Sequence, residues 1–495
     1  MRYPALDTPT HSWLKHLSIC YVPGPSTALS DRVASDLIAH FQQGGHSTAF
    51  PPSPETEVIL TTARLGEPLG WREALMFTAR RRFQLKQVPT VFTIVHATPR
   101  QLSEWMAKIE AVLKEGADAV PPFEGVPESA SSTLYKQGKR GGAILYLLRI
   151  LQIQTKAIRV LLVLGEEKPQ SALLFDLVGA HPQIKFEAPQ AFYKDIATRI
   201  LTAASTREIT NHETVEPPIA SREWESLTSI GEMTRASHEL GQRDFFTEMI
   251  KVSQVAEIPG FSEAISQQYS EGCFATWDPK INGLLTTITG SARPVRKENI
   301  TDKDLAVIVG IKPGRDGALI RKVEGHPNHP PSSEAVEMIG MDLALPKITL
   351  KDGVQVPVIR SKLHGHRGVR SFDWTRVEYV PVPESYLHYP VSCSTDAQYR
   401  AVEEAFSRSY SLQNPEDLRQ LVFTVLPGHG VVIVEKWVEG KAPFQMIWEA
   451  MDKKELDIMN RIPQGPFAFE TEGQRCTIAG NANAIDLDQL AAHEH

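Results

Sequence analysis

What this chain lacks narrows its function before any motif is read. Cysteine is scarce: Cys20, Cys273, Cys393 and Cys476 are scattered over 495 residues, with no CxxC pair. That argues against a zinc ribbon or a disulfide framework, and a reducing cytoplasm is the expected location. Surplus positive charge is missing too. The formal net charge is −7, which leaves no electrostatic case for a nucleic-acid partner. The one basic run, Arg80-Arg81-Arg82, lies in a helical pattern and reads as a solvated face. No apolar run approaches the roughly 20 residues needed to span a bilayer, so no membrane partner is expected. The opening Met1-Arg2-Tyr3-Pro4 lacks the apolar core of a secretory signal.

Two families of catalytic motif are also missing. There is no GxxxxGK[ST] and no GxGxxG after a strand, which disfavours a nucleotide-dependent enzyme. Gly138-Lys139-Arg140-Gly141-Gly142 reads as a turn and helix start. Gly314-Arg315-Asp316-Gly317 reads as a hairpin, because Asp-Gly suits a tight turn. No GxSxG nucleophile elbow occurs. Cys273 reads as a small buried hydrophobe rather than a nucleophile.

The length implies roughly three domains. From residue 14 to 115 the pattern alternates strand and helix: Leu17–Val22, Asp31–Phe41, Val58–Leu60, Trp71–Phe83, Val91–Val95, then Thr98 to about Lys114. Ser30 is the expected N-cap of the first helix, and Gly44-Gly45 its stop. This is the rhythm of a parallel sheet covered by helices. Pro121-Pro122, Pro127 and the Ser129–Thr133 cluster mark a linker. A second α/β unit is expected to follow, with a buried helix over Gly141–Ile153, a parallel strand over Ile158–Gly165, and helices over Ala172–Gly179, Gln190–Ala203 and Glu223–Leu240.

Beyond Gly290 short β-type runs and prolines take over, the signature of an antiparallel sheet or barrel. Helical inserts are expected there over Asp396–Arg408 and Pro415–Leu421. The fold class is therefore α/β: two Rossmann-like parallel-sheet domains, residues 1–135 and 136–290, then a β-rich, barrel-like domain over 291–480 and a polar tail over 481–495.

The histidines carry the chemistry. His326, His329, His364, His366, His388 and His429 all fall in the β-rich part. In His364-Gly365-His366 the two imidazoles stand at i and i+2, which share a face of a strand, so both can reach one ion. Glu324 and His326 repeat that spacing. Imidazole with carboxylate is the usual set for Mn²⁺, Zn²⁺ or Fe²⁺. Pro330-Pro331-Ser332-Ser333-Glu334 reads as a capped helix start, with Ser332 or Ser333 as N-cap. The alternative is that Glu334 or Glu337 faces the histidines and completes a site.

Two stretches carry a resemblance. One runs from Gly141-Gly142-Ala143-Ile144-Leu145 to Ile158–Gly165. The other joins Gly272-Cys273 to Asp278, then Asn282-Gly283-Leu284-Leu285-Thr286, Thr289-Gly290 and Asp304–Gly310. Together they resemble the L-fucose isomerase and L-arabinose isomerase superfamily. The resemblance implies an aldose–ketose isomerase acting on a sugar or polyol through an enediol, with Mn²⁺ held by a Glu, an Asp and a His. It also implies a homo-oligomer, trimeric or hexameric. By motif Asp278 is the closest match to the metal aspartate. Glu271, Glu248 and Glu257 are the candidates for proton transfer. The late histidine corresponds to His429, His364 or His366. Phe274 stands where that family often has a Glu after the Cys. Two other readings stay open: a non-catalytic carbohydrate-binding or regulatory protein on the same scaffold, and a metal-dependent hydrolase or lyase built on the histidine clusters alone.

Overall fold

A computed structural model describes residues 16–65, 89–102, 104, 158–176, 179–180, 184–205, 209, 211–246, 272–289, 297–313, 315–332, 334–383, 395–417, 419–426, 429–459, 468–472 and 475–479. The chain forms two compact units. The first is built mainly from residues before 207, and the second from 207–249 and 267–482.

The first unit carries seven strands: β1 (Ile19–Val22), β2 (Val58–Arg64), β3 (Thr90–Ala97), β4 (Ile158–Gly165), β5 (Pro169–Asp176), β6 (Gly179–Ala180) and β7 (Ile184–Lys185). The order is β1-β2-β3-β4-β5-β6, with β7 also on β5. Strands β1 to β4 run parallel, and β5 returns antiparallel to β4. Helix α1 (Ala28–Gln43) buries Leu29, Val33, Leu37 and Phe41, a four-residue spacing that keeps one face on the sheet. Helix α2 (Pro189–Ser205) packs into the same core. Its neighbour α1 is capped by Thr27, not by Ser30. Ser30 sits at the third helical position and completes a reciprocal capping box.

The expected second α/β domain is corrected here. Its opening strand, β4, pairs with β3 and extends the first sheet. Ala172–Gly179, expected to be helical, is mostly strand β5. The expected helices over Trp71–Phe83 and Gly141–Ile153, most of that from Thr98, and the 481–495 tail lie outside the described residues.

The second unit is a nine-stranded sheet between two helical layers. Its strands are β8 (Glu213–Ile219), β9 (Cys273–Asp278), β10 (Gly283–Thr287), β11 (Leu305–Ile311), β12 (Ala318–Val323), β15 (Ile359–Gly365), β17 (Val377–Tyr379), β18 (Leu421–Leu426) and β19 (Gly430–Lys436). Their order is β17-β18-β19-β15-β9-β10-β11-β12-β8. Pairing is antiparallel except for β8 on β12 and β17 on β18. The order is linear among the described strands, so the sheet is open rather than barrel-like. Strands β13 (Lys347–Thr349) and β14 (Gln355–Pro357) form a small ribbon. Strands β16 (Gly368–Asp373), β20 (Leu456–Met459), β21 (Ala468–Glu472) and β22 (Arg475–Ala479) form a four-stranded sheet.

Strand alternation sorts the core. Cys273, Ala275 and Trp277 of β9 join Val432 and Val434 of β19 in one cluster. That cluster includes α5 (Ala335–Ala344) and α6 (Asp396–Ser407), the two helices on this face. Phe274, Leu363, Val431 and Ile433 face the other way. There they meet α3 (Ser221–Glu225), α4 (Thr228–Gln242) and α8 (Gln445–Asp452). Helix α7 (Tyr410–Gln413) is a single turn, and the expected helix over Pro415–Leu421 is absent among the described residues: β18 begins at Leu421. A sheet buried on both faces explains why its strands read as short apolar runs. It draws on both sides of residue 290, because β8, β9 and β10 precede that position and the rest follow it.

Candidate metal centre

The sheet register brings distant histidines to one end of neighbouring strands. On β15 and β19, His364 is opposite Val432 and Gly365 opposite Val431. His429 lies in the turn between β18 and β19, where its N–H donates to Leu426 O. His366 follows β15 by one residue. The three rings pack at centroid distances of 5.0–5.3 Å. Such close approach needs glycine. A Cβ on Gly365 would lie 2.5 Å from a ring carbon of Phe245, and one on Gly430 would lie 2.2 Å from Gly365 O.

The fourth member comes from the α5 face. Glu334 is the N-cap of α5 but makes no capping bond with its side chain. Its carboxylate turns to the histidines instead. Oε2 lies 3.2 Å from His364 Nε2, and Oε1 lies 3.2 Å from His429 Nε2 and 3.7 Å from His366 Nε2. One ligand atom from each of the four residues falls within 4.8 Å of all the others. Among the described residues this buried Glu/His₃ group can hold a metal ion.

Hydrogen bonding tests that fit. His364 Nδ1 lies 3.1 Å from Val431 O. A carbonyl only accepts, so Nδ1 is the donor there and Nε2 is the ring atom turned to the carboxylate, 3.2 Å from Oε2. A proton or a metal ion between those two atoms makes the contact attractive. The carbonyl is also the outer partner that fixes the tautomer of a metal-binding imidazole.

The electrostatics keep the group ready for a cation. Burial opposes ionisation of Glu334, but the imidazoles, His364 foremost, prevail and hold its carboxyl well below the usual range. Burial pushes His429 down to about 4, so its ring is neutral near pH 7. Three imidazoles and one carboxylate suit a borderline divalent ion such as Mn²⁺, Fe²⁺, Co²⁺ or Zn²⁺, and do not by themselves select one.

A second carboxyl stands beside this group. Glu337, one helical turn beyond Glu334, is 3% exposed, and its Oε1 has no hydrogen-bond partner among the described residues. Burial, then the charge of Glu334, pushes its carboxyl well above the usual range. Cys273, also fully buried, has its thiol raised by burial and by Glu334 and Glu337. A protonated thiol is a poor nucleophile, in line with the sequence reading.

The structure gathers only part of the predicted set. His364, His366 and His429 converge. Asp278 does not: it ends β9, whereas the residue paired with His364 is Cys273, at the other end of that strand. Five residues of strand separate them by about 17 Å. The Asp278 carboxylate is engaged there, accepting from Ser229 Oγ of α4 at 2.5 Å and from Lys280 N of the following turn at 2.8 Å. His326 is elsewhere, packed edge-on against Trp224 and 3.6 Å from Asp302. Glu271, Glu248 and Glu257 lie outside the described residues. Ser332 is not the cap of α5, and Glu334 takes that position. Only the alternative reading of Glu334 and Glu337 pointed at the missing carboxylate.

A hollow of about 510 Å³ in the first unit is lined by His16, Ser18, Glu55 and Glu57 among others. Glu57 is already engaged with Ser18 N at 3.2 Å. Among the described residues that hollow holds no group of converging ligand atoms like the one in the second unit. No helix among the described residues is long and apolar enough to cross a membrane. No protein-family model and no curated protein matches the sequence.

Proposed function

We propose that this protein is a metal-dependent enzyme acting on a small oxygen-bearing molecule, with its ion held by Glu334, His364, His366 and His429. One observation carries the reading: four buried ligand atoms lie within 4.8 Å of one another. A divalent ion held there supplies Lewis-acid polarisation of a carbonyl or hydroxyl. The chain's own residues do the rest. Val431 O fixes the ring of His364. The buried strands around the rings keep bulk water away and strengthen electrostatics inside.

The resemblance favours a sugar or polyol substrate and aldose–ketose isomerisation, in a cytoplasmic homo-oligomer. The place of Asp278 favours a second reading, a hydrolase or lyase built on the histidine cluster, because the residue that matched the isomerase aspartate is engaged elsewhere. Purified protein with one Mn²⁺, Zn²⁺ or Fe²⁺ per chain, lost in His364→Ala and His429→Ala, supports the metal-dependent reading. Protein that takes up none of these ions refutes it. Asp278→Asn separates the two placements of the ion. If the ion sits in the histidine cluster, metal content and turnover stay as in wild type. Loss of metal-dependent turnover of pentoses and hexoses would instead put the ion at Asp278, as the isomerase resemblance implies, and away from the cluster.

A further inference from the structure

The metal ligands leave one group of the site unexplained. Glu337 has a carboxyl oxygen that is sealed from solvent and has no hydrogen-bond partner among the described residues. A buried carboxyl oxygen left without a hydrogen bond is costly. It lies on the same helix as Glu334, three residues on, where side chains share a face. Its electrostatic neighbours are Glu334 and His366, both members of the metal group, and the Cys273 thiol. Nothing in the apolar packing of α5 calls for a carboxyl here, since Val336, Met338, Ile339 and Met341 around it fill the core. A polar group kept unpaired beside a ligand cluster has a use if its partner arrives with the ligand.

Resting on the metal-dependent reading above, we propose that Glu337 is the substrate-anchoring group of the centre: it hydrogen-bonds the small molecule whose oxygen completes the ion's coordination. The ligand class follows. The molecule presents one oxygen to the ion and a second hydrogen-bonding group to Glu337. Carboxylate, hydroxy-carbonyl and hydroxamate compounds of a few heavy atoms meet that requirement.

The test uses Co²⁺, whose visible absorption reports its ligands, and acetohydroxamate as the probe. Wild type, Glu337→Gln and Glu337→Leu are loaded with Co²⁺, their stoichiometry is measured, and each is titrated with acetohydroxamate. Expected are equal Co²⁺ contents, a probe affinity in Glu337→Gln within about threefold of wild type, and a loss of about tenfold or more in Glu337→Leu, the effect of one buried hydrogen bond. Unchanged probe affinity in Glu337→Leu overturns the proposal. So does loss of Co²⁺ from Glu337→Gln, which would make Glu337 a direct metal ligand. Wild type that binds no Co²⁺ fails at the first step and sinks the metal reading together with this one. If Glu337→Leu does not fold, the Glu337→Ala protein takes its place with the same expected loss.

Discussion

The most demanding test of this structure is the ion pair behind the metal centre. Lys362 of β15 reaches Asp342 of α5 at 2.7 Å, with side chains 0% and 1% exposed. At an effective dielectric constant of about 20, that separation is worth roughly 6 kcal/mol of attraction. Burial nevertheless dominates both partners. It pushes Asp342 up to about 6 and pulls Lys362 below its usual range, while the pairing opposes each shift. The pair is therefore close to balance, and its loss is asymmetric. Lys362→Met should cost about 3–5 kcal/mol, because it leaves Asp342 buried alone. Asp342→Leu should cost a similar amount for the mirror reason. The double variant should recover most of that loss, giving a coupling energy of a few kcal/mol in a double-mutant cycle. Urea unfolding of the four proteins measures it. The two elements tied by this pair also supply the metal ligands, Glu334 from α5 and His364 from β15. Metal affinity should thus fall in each single variant along with stability. Single variants that each lose less than about 1 kcal/mol would refute the reasoning, as would a double variant in which the losses simply add.

Other outcomes follow from single residues. Glu435, fully buried on β19, accepts from Phe444 N at the start of α8, and burial pushes its carboxyl up to about 7. A raised acid pKa means the folded state holds its proton more tightly than the unfolded chain. Stability should therefore fall as pH rises from about 4.5 to about 7, by roughly 3 kcal/mol from this group. Glu435→Gln should flatten that slope in thermal melts at pH 5 and pH 8, and an unchanged slope would count against it. Gly365→Ala drives a methyl into Phe245 and should cost about 1–3 kcal/mol and reduce metal uptake, read by urea unfolding and metal analysis. Asp278→Asn weakens the short bond from Ser229 and should cost about 1 kcal/mol, again by urea unfolding.

How much of this could be read from the sequence depends on range. Local signals served well. The four-residue spacing of Leu29, Val33, Leu37 and Phe41 gave α1, and Asp316-Gly317 gave the β11–β12 hairpin. The i, i+2 spacing of His364 and His366 placed both rings at one point. Long-range pairing is where the reading stopped. Nothing local tells that Ile158–Gly165 would join β3 rather than open a new sheet. Leu173 and Leu174 suit a buried helix as well as a strand, and only the partner strand β4 decides between them. The site divides the same way. His429 and Glu334 are separated by 95 positions, and no spacing rule links them. Asp278 shows the opposite risk. A short motif next to a family-like stretch drew attention to a residue whose carboxylate is taken up by Ser229 and Lys280.

The sequence separation of the ligands has one more consequence. Glu334 leads into a helix, His364 ends a central strand and His429 sits in a hairpin turn, so the centre exists only once all three segments are folded together. An ion that binds the folded chain and not the unfolded one then behaves as a removable cross-link. At a free concentration a hundred times its dissociation constant it would add about 2.7 kcal/mol. A substitution deep in the sheet, far from any ligand, would then register as a change in metal content. Metal content becomes a reporter of how well the whole second unit is assembled.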